Sequence, residues 1–378
     1  MYRLRARGTV GAMRFDLFHE LSVPDFLQTS EAEVLENTLR LWERADHLGF
    51  GTAWLVEHHL MPEFSHSTAP DLVLAAASQR TKRLRLGLGV VPLPYHHPLR
   101  VAQRVGMLDQ LSDGRLDLGI GRGFSPREYA TFGAEMSESR ARVDAGLDAL
   151  RQAFATGRIT QDGPFHHLDD VPVMPRPVQT PHPPIWTAAV SPESFTWAAQ
   201  QGIGALAGPF KPWQMIREDI RLYHEAWDTT RTDITHPPRV GMTLGVLCLP
   251  DGKRARREAK PAFEWFYRHM FQQTLPVLER LIEGYDYYRS LGRFRHLIKA
   301  GINLKVLDML GMTLVGTPAE CRERIEGLRE AGVDQVLLAF GAGAVPHALA
   351  EESMDCFAEE VMPAFADPAP ATVARTAT

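Results

Sequence analysis

The sequence predicts a (β/α)8 TIM barrel with an insertion between strand 7 and strand 8. Strand-like and helix-like segments alternate along the 378 residues, and eight strands are each followed by a helix. The strands are continuous apolar runs, which is typical of parallel strands that are buried on both faces. A barrel is also one of the few folds that fills a chain of this length as a single domain.

The first half of the chain supplies four units. A short strand at 15–18 leads to a helix that begins with a capping box, Ser30 with Glu33, and ends at Gly49. The remaining elements of this half follow from their apolar periodicity: predicted strands at 53–56, 84–91 and 115–120, and predicted helices at 70–80, 98–111 and 138–156.

The second half supplies the other four units. Strands are predicted at 184–190, 203–207, 240–249 and 335–340. Helices are predicted at 192–201, at 212–227 and from the Thr317 cap to Gly332, and a last helix follows the strand at 335–340 and continues to about Met362. The barrel therefore spans residues 13–365, with an insertion at 250–314, and residues 1–12 and 366–378 are predicted to be flexible termini.

An open, doubly wound sheet is the competing fold. The run Gly119-Ile-Gly121-Arg-Gly123 resembles a dinucleotide-binding loop, but its third glycine comes too early for the G-x-G-x-x-G spacing. Eight consecutive β/α units favour the closed barrel.

Composition excludes several functional classes. The net charge of −5 provides no basic field for nucleic acid or anionic lipid, and no apolar run is long enough to span a bilayer. The basic N-terminus lacks the apolar core of a signal peptide, and the three cysteines form no disulfide framework, so a cytoplasmic protein is expected. A metal site is an alternative use of His58, His59, His96 and His97, but no metal-binding spacing supports one.

In a barrel, the residues that follow the strands should carry the chemistry. Polar and glycine-containing segments follow six strands: His19-Glu20, Glu57-His58-His59, Pro94 to Pro98, Gly121-Arg122-Gly123, Ser191 and Gly208 to Phe210. Because side chains alternate, His58 and His59 should point to opposite faces, so that at most one of them reaches the pocket.

Two neighbouring strand ends suggest a phosphate site. Arg122 lies between Gly121 and Gly123, which let a backbone approach an anion closely while the guanidinium binds it. Ser191 and Ser194 begin a helix whose positive end would face the same pocket. Taken singly, the serine is more simply explained as a helix cap and the arginine as a structural residue, but their occurrence together on adjacent strands favours a phosphate site.

Several motifs together resemble the bacterial luciferase-like flavin-dependent monooxygenases. They are WLVEHHL at 54–60, LDQLSDGRLDLGIGRG at 108–123, the segment Ser191 to Gln200, VGTPAEC at 315–321 and VMP at 361–363. The resemblance covers about residues 13–365 in the right order, and it is specific as a set rather than in any single motif.

The resemblance implies a two-component monooxygenase. Members of the family bind reduced FMN, supplied by a separate flavin reductase, and react it with dioxygen to form a flavin hydroperoxide that oxygenates a small organic substrate. By position, Arg122 would bind the FMN phosphate with the Phe124 backbone and the Ser191 and Ser194 hydroxyls. His58 would transfer protons beside the flavin ring.

The resemblance also leaves a role for Glu57, which would orient His58 or a neighbouring backbone group. Two positions depart from the luciferases proper. Gly121 stands where those enzymes have a cysteine, and Val190 replaces an acidic residue. Light emission is therefore not implied, and Gly121 is expected to leave room for a bulkier substrate.

The insertion is rich in aromatic residues. Its segment 284–300 resembles the family's loop over the flavin, so we expect a lid there that excludes water. Its aromatic side chains would form a wall for an aromatic or polycyclic substrate, with ordinary packing against the barrel as the alternative. Symmetry favours a homodimer.

Two other functions remain open at this stage. One is hydride transfer with a deazaflavin coenzyme in an oxidoreductase of the same superfamily, whose phosphate site would look similar. The other is flavin binding without catalysis, against which the presence of Glu57 and His58 speaks.

Overall fold

Eight parallel strands close into a barrel in the computed structural model, which describes residues 12–230, 236–284 and 303–366. In order around the barrel the strands are β1 (Arg14–His19), β2 (Thr52–Leu55), β3 (Arg85–Pro92), β4 (Leu116–Gly121), β7 (Ile185–Ala189), β8 (Gly204–Ala207), β9 (Val240–Cys248) and β11 (Gln335–Ala339). Closure occurs at β11, where Leu337 is in register with Thr243 of β9 and with Asp16 of β1. The predicted fold is confirmed.

Helices connect these strands and cover the outside of the barrel. They are α1 (Glu31–Leu48), α2 (Pro70–Arg80), α3 (Pro98–Leu111), α4 (Pro126–Thr131), α5 (Ser139–Thr156), α6 (Pro192–Gln201), α7 (Trp213–Thr230), α8 (Gly252–Gly284), α9 (Leu304–Met309), α10 (Pro318–Glu330) and α11 (His347–Glu360). Capping boxes begin α1, through Ser30 and Glu33, and α10, through Thr317 and Glu320. Within the described residues, no helix combines the length and the apolarity needed to cross a membrane.

Three strands lie outside the eight-stranded count. β5 (Arg158–Asp162) and β6 (His167–Pro172) form an antiparallel hairpin after α5. β10 (Thr313–Gly316) pairs with the second half of β9, next to the place where β8 ends. None of the three was predicted, because the hairpin is mainly polar and exposed and β10 is only four residues long.

The interior of the barrel is filled with large side chains. Trp54 and Trp186 meet edge to face, with ring centroids 5.8 Å apart, and Leu206 and Leu337 pack against them. A Cβ atom on Gly204 would lie 2.1 Å from the Trp186 ring, so only glycine fits beside that indole. A filled barrel leaves the mouth, where the strands end, as the place for a binding site.

Candidate active site at the mouth of the barrel

The segment after β2 divides its side chains between two environments. Trp54 points into the barrel, and alternation continues beyond the strand end, so that His58 faces the mouth. Glu57 and His59 face the opposite way and contact each other at 3.2 Å, between Oε1 and Nε2. The two adjacent histidines are therefore separated, as the sequence pattern indicates.

His58 lies in a nearly dry, aromatic environment. Its ring centroid is 5.2 Å from that of Phe124 and 6.5 Å from that of Phe64. The carboxyl group of Glu20 lies beside it, with 3.7 Å between Nε2 of His58 and Oε2 of Glu20. Burial lowers the pKa of His58 to about 4, so the ring is neutral near pH 7 and can accept a proton.

The carboxylate of Glu57 holds a cluster behind the mouth. Its Oε1 is 2.5 Å from Nε2 of His96 as well as 3.2 Å from His59, and Oε2 is 3.9 Å from Arg104. Burial opposes ionisation, but the hydrogen bonds from His59 and His96 outweigh it and lower the pKa of Glu57 to about 2. Glu57 thus contacts His59 and His96 rather than the His58 ring. It acts on His58 through the loop that they share and, at longer range, through its negative charge, which raises the pKa of His58 against the effect of burial.

Replacing Glu57 with glutamine is expected to lower stability in a pH-dependent way. The folded-state pKa is below the ordinary carboxyl value of 4.5, so Glu57 contributes stability above pH 4.5 that is lost as the pH falls toward 2. The shift corresponds to on the order of 3 kcal/mol at pH 7.

Thermal melts at pH 7, 5 and 4 measure this effect. The difference in melting temperature between wild type and Glu57→Gln should decrease as the pH falls below 4.5. The control variant Glu135→Gln, which changes an exposed residue, should melt like wild type at every pH. A difference in melting temperature that is the same at every pH would contradict the ionised state of Glu57 in the folded protein.

Arg122 leaves β4 in a tightly packed turn. Its Nε donates to the Ser139 hydroxyl at 3.0 Å, and its carbonyl accepts a hydrogen bond from the Tyr129 hydroxyl. A Cβ on Gly123, whose φ is +73°, would lie 2.5 Å from the Tyr95 hydroxyl, so glycine is required there. These contacts hold the backbone of the turn and use the Nε atom of Arg122, while its Nη atoms have no hydrogen-bond partner within residues 12–230, 236–284 and 303–366 and are the ones that could bind a ligand.

Gly121 faces the inside of the mouth, but the space beside it is filled. A Cβ on Gly121 would lie 2.5 Å from Cγ2 of Val90 and 4.0 Å from the Cβ of Ala188. The expectation that Gly121 leaves room for a bulkier substrate is wrong, because the Val90 side chain takes that room. Val90 of β3, Gly121 of β4 and Ala188 of β7 therefore lie together at this part of the mouth.

The two serines of the predicted phosphate site form a capping box at the start of α6. Ser194 Oγ accepts from the Val190 and Ser191 N–H groups at 3.0 and 2.9 Å and donates to the Ser191 carbonyl. The Ser191 hydroxyl accepts from the Ser194 N–H at 3.2 Å. The Ser191 hydroxyl in turn donates to Ser194 Oγ at 3.3 Å, which is longer than the 2.7 Å bond from Ser194 to the Ser191 carbonyl. Ser191 is thus the hydroxyl that can turn toward an anion at the smaller cost.

Lys211 contacts the backbone at the same strand end. It was not identified from the sequence. Its Nζ donates to the Val190 carbonyl at 2.7 Å and forms an ion pair with Asp219, and both side chains are buried. The signal for it was a lysine directly after Gly208-Pro-Phe210 at a strand end, where an ammonium group needs a buried partner.

The donor set suits a phosphate group. β4 and β7 are neighbours, with Ile120 in register with Thr187, so Arg122 and the Ser191 cap follow adjacent strands. A guanidinium, a hydroxyl and a helix N-terminus are the groups that proteins use for phosphate. Among the described residues, no cluster of histidine, cysteine and acidic side chains has the arrangement of a metal site.

The family model described as luciferase-like monooxygenase matches residues 13–335. The chain belongs to this family. The oxygenase component of a flavin-dependent trigonelline monooxygenase from Acinetobacter baylyi is 34% identical to it, over 94% of this chain and 96% of the relative. The luciferase-like chain described here is thus an oxidoreductase of the monooxygenase class, which confirms the predicted family and class of enzyme.

Solved structures agree with this assignment. The monooxygenase RslO1 from Streptomyces bottropensis superposes with a TM-score of 0.77 at 31% identity, covering 94% of this chain and all of that one. The F420-dependent tetrahydromethanopterin reductase from Methanopyrus kandleri, with a TM-score of 0.66 and 19% identity over 94% of this chain and all of that one, shares the fold alone.

The aromatic residues of the insertion divide between two roles. Phe266 of α8 packs against Phe64 at 5.4 Å between ring centroids and so extends the aromatic wall around His58. Tyr267 and Phe271 are buried against the barrel, which agrees with ordinary packing. The expected lid at 284–300, with Tyr285, Tyr287, Tyr288 and Phe294, lies outside the described residues apart from Gly284, the last residue of α8.

Proposed function

We propose that this chain is the oxygenase component of a two-component monooxygenase that uses reduced FMN and dioxygen to oxygenate a small organic substrate. One observation carries the proposal: a phosphate-type donor set and a dry, neutral histidine occupy the same barrel mouth. The Acinetobacter baylyi relative is described as an oxygenase component, which supports a separate flavin reductase as the partner. Bound FMN would supply the electrons that activate dioxygen.

Arg122 and Ser191 would hold the FMN phosphate, together with the Phe124 backbone N–H. Gly121 and Gly123 let the turn pack closely, and Ser194 keeps the first turn of α6 in place through its hydrogen bonds with Val190 and Ser191. One charged side chain and one helix N-terminus would thus bind the phosphate, and contacts within the protein hold both in place before the ligand binds.

His58 would exchange a proton with the reactants, and the rings around it would exclude water. Phe64, Phe124 and Phe266 form this enclosure, which also suits an aromatic or polycyclic substrate. Glu57 would position the loop of His58 by holding His59 and His96. We infer a cytoplasmic enzyme, because the three cysteines are scattered along the sequence and form no disulfide framework of the kind that secreted proteins carry.

Rapid mixing tests the proposal. Protein loaded anaerobically with reduced FMN is mixed with oxygenated buffer while absorbance is recorded. A protein-dependent absorbing species that outlives the reaction of free reduced flavin is expected. Reoxidation at the free-flavin rate would contradict oxygen activation, and binding of a deazaflavin would then favour hydride transfer over flavin binding without catalysis.

Replacing Arg122 with alanine is expected to weaken FMN binding by about 10- to 100-fold, since a hydrogen-bonded charge contributes about 1.5–3 kcal/mol. Flavin fluorescence titration measures the change. The exposed Arg127→Ala is the matched control and should bind FMN like wild type. Unaltered affinity in a folded Arg122→Ala protein would refute the phosphate site.

We also propose a homodimer that forms through α2 and α3. The two helices run side by side, joined by Asp71 to Arg104 at 3.2 Å and by Gln79 to the Leu111 carbonyl at 3.1 Å. Their outer surface exposes Leu72 by 70%, Met107 by 52% and Leu111 by 46%. Apolar side chains grouped in this way on a helix pair fit the centre of an interface between two copies.

Sedimentation of a double variant, Leu72→Lys with Met107→Lys, tests this interface. The variant should sediment as a monomer at concentrations at which wild type is a dimer. Met309→Lys changes an equally exposed residue of α9 and should leave the dimer intact. A wild-type monomer, or a double variant that still dimerises, would overturn the assignment.

A further inference from the structure

The carboxyl group of Glu20 lies beside His58 in the mouth. Asp16 bonds to the inward-facing Trp54, and alternation along β1 therefore directs Phe18 and Glu20 inward as well. The 3.7 Å between Oε2 of Glu20 and Nε2 of His58 is slightly longer than a hydrogen bond. The two side chains are 11% and 17% exposed, so little water can come between them.

Among the described residues, Ser65 competes with His58 for this carboxyl. The Ser65 hydroxyl donates to the main-chain carbonyl of Glu20 at 2.7 Å, and a hydrogen bond from the same side chain lowers the pKa of the carboxyl against the larger effect of burial. The sequence neighbours of His58 affect its pKa in opposite directions: Glu57 raises it and His59 lowers it. Oε2 of Glu20 is buried and has no hydrogen-bond partner in the described part of the chain. A buried carboxyl oxygen of this kind needs a partner, and the His58 imidazole is a basic group that lies 3.7 Å away.

The environment determines where the proton of the pair resides. Burial raises the pKa of Glu20 to about 8, whereas burial lowers that of His58 to about 4. Near pH 7 the pair therefore holds one proton, on Glu20, and carries no net charge. A protonated carboxyl donates to Nε2, which leaves the ring hydrogen on Nδ1.

We propose that Glu20 is the positioning residue of His58, fixing the orientation and tautomer of the ring and storing the proton that the ring exchanges with the reactants. Nε2 takes the proton of Glu20 as the Nδ1 proton moves to a base that develops on the substrate. The ring remains neutral, now with hydrogen on Nε2, and Glu20 becomes a carboxylate until water gives a proton to Nδ1 and Nε2 returns its proton to Glu20. A buried carboxylate is costly, which favours this return.

The tautomer can be measured without flavin or substrate. Nitrogen-15 spectra of histidine-labelled protein are recorded at pH 7, and the His58 signals are assigned by their loss in His58→Ala. Wild type and Glu20→Gln should show a neutral ring with hydrogen on Nδ1, since the glutamine amide can also donate. Glu20→Leu cannot donate, so its ring should change to the Nε2–H form. An Nε2–H ring in wild type, or an unchanged ring in Glu20→Leu, would overturn the inference.

Kinetics supply a second readout, which rests on the proposed function. Glu20→Gln keeps the hydrogen bond but cannot release a proton, so kcat should fall roughly tenfold or more while KM and FMN affinity stay within about twofold. The change in wild-type kcat with pH near pH 8 should be absent in Glu20→Gln. The control variant Glu31→Gln, which changes a 70%-exposed residue, should keep this pH dependence. Retention of this pH dependence in Glu20→Gln would overturn proton storage. Absence of oxygenation in wild type would contradict the proposed function but not the tautomer result.

Discussion

Replacing His58 with alanine is expected to lower turnover by about 10²- to 10⁴-fold, the range for loss of a positioned proton-transfer group. The structure gives a physical reason for so large an effect. The ring is enclosed by Phe64 and Phe124 and is kept neutral by burial, so no bulk water stands ready to replace it. FMN affinity should change little, because the residues proposed to bind the FMN phosphate follow other strands than His58 does.

Turnover is measured at saturating reduced FMN with an aromatic substrate found by screening, and FMN affinity by fluorescence titration. His47→Ala, on the last turn of α1, is the control for loss of an imidazole away from the mouth. Unchanged turnover in His58→Ala would remove His58 from the mechanism. A parallel loss of turnover and FMN affinity would instead assign His58 to cofactor binding.

Replacing Lys211 with methionine is expected to reduce the free energy of unfolding by about 3–5 kcal/mol, the range for removing one member of a buried ion pair. The change leaves the buried Asp219 carboxylate without the ammonium and withdraws the Nζ hydrogen bond from the Val190 carbonyl. Because Val190 precedes the Ser191 cap, FMN affinity should fall as well. The stability loss should appear as a lower midpoint of urea unfolding at pH 7.

The double variant Lys211→Met with Asp219→Leu separates charge from packing. Removing both charges should recover part of the lost stability, since an apolar pair of similar volume often replaces a buried ion pair at small cost. A loss below about 1 kcal/mol in the single variant would show that the ion pair is not held in the buried state. A double variant less stable than the single one would instead show that Asp219 makes other contacts that leucine cannot replace.

Much of the fold could be read from the sequence, because its signals are local. Each barrel strand lies within a residue or two of its predicted bounds, and the Ser30–Glu33 and Thr317–Glu320 boxes begin helices as expected. The β5–β6 hairpin escaped prediction because its strands alternate weakly and lie at the surface. The predicted insertion also included the start of β10, a strand recognisable only once β9 lies beside it.

The sequence by itself determined the barrel, the polar segments that follow its strands, and the order along the chain of the segments that carry His58, Arg122 and Ser191. Apolar periodicity, helix caps and chain order suffice for these features, since each depends on residues close together in the chain. Only the tertiary structure decided the neighbours. It placed Glu20 beside His58, turned Glu57 toward His59 and His96, and filled the space at Gly121 with Val90. Such contacts depend on strand pairing and alternation around a closed sheet, which bring together residues that are tens of positions apart.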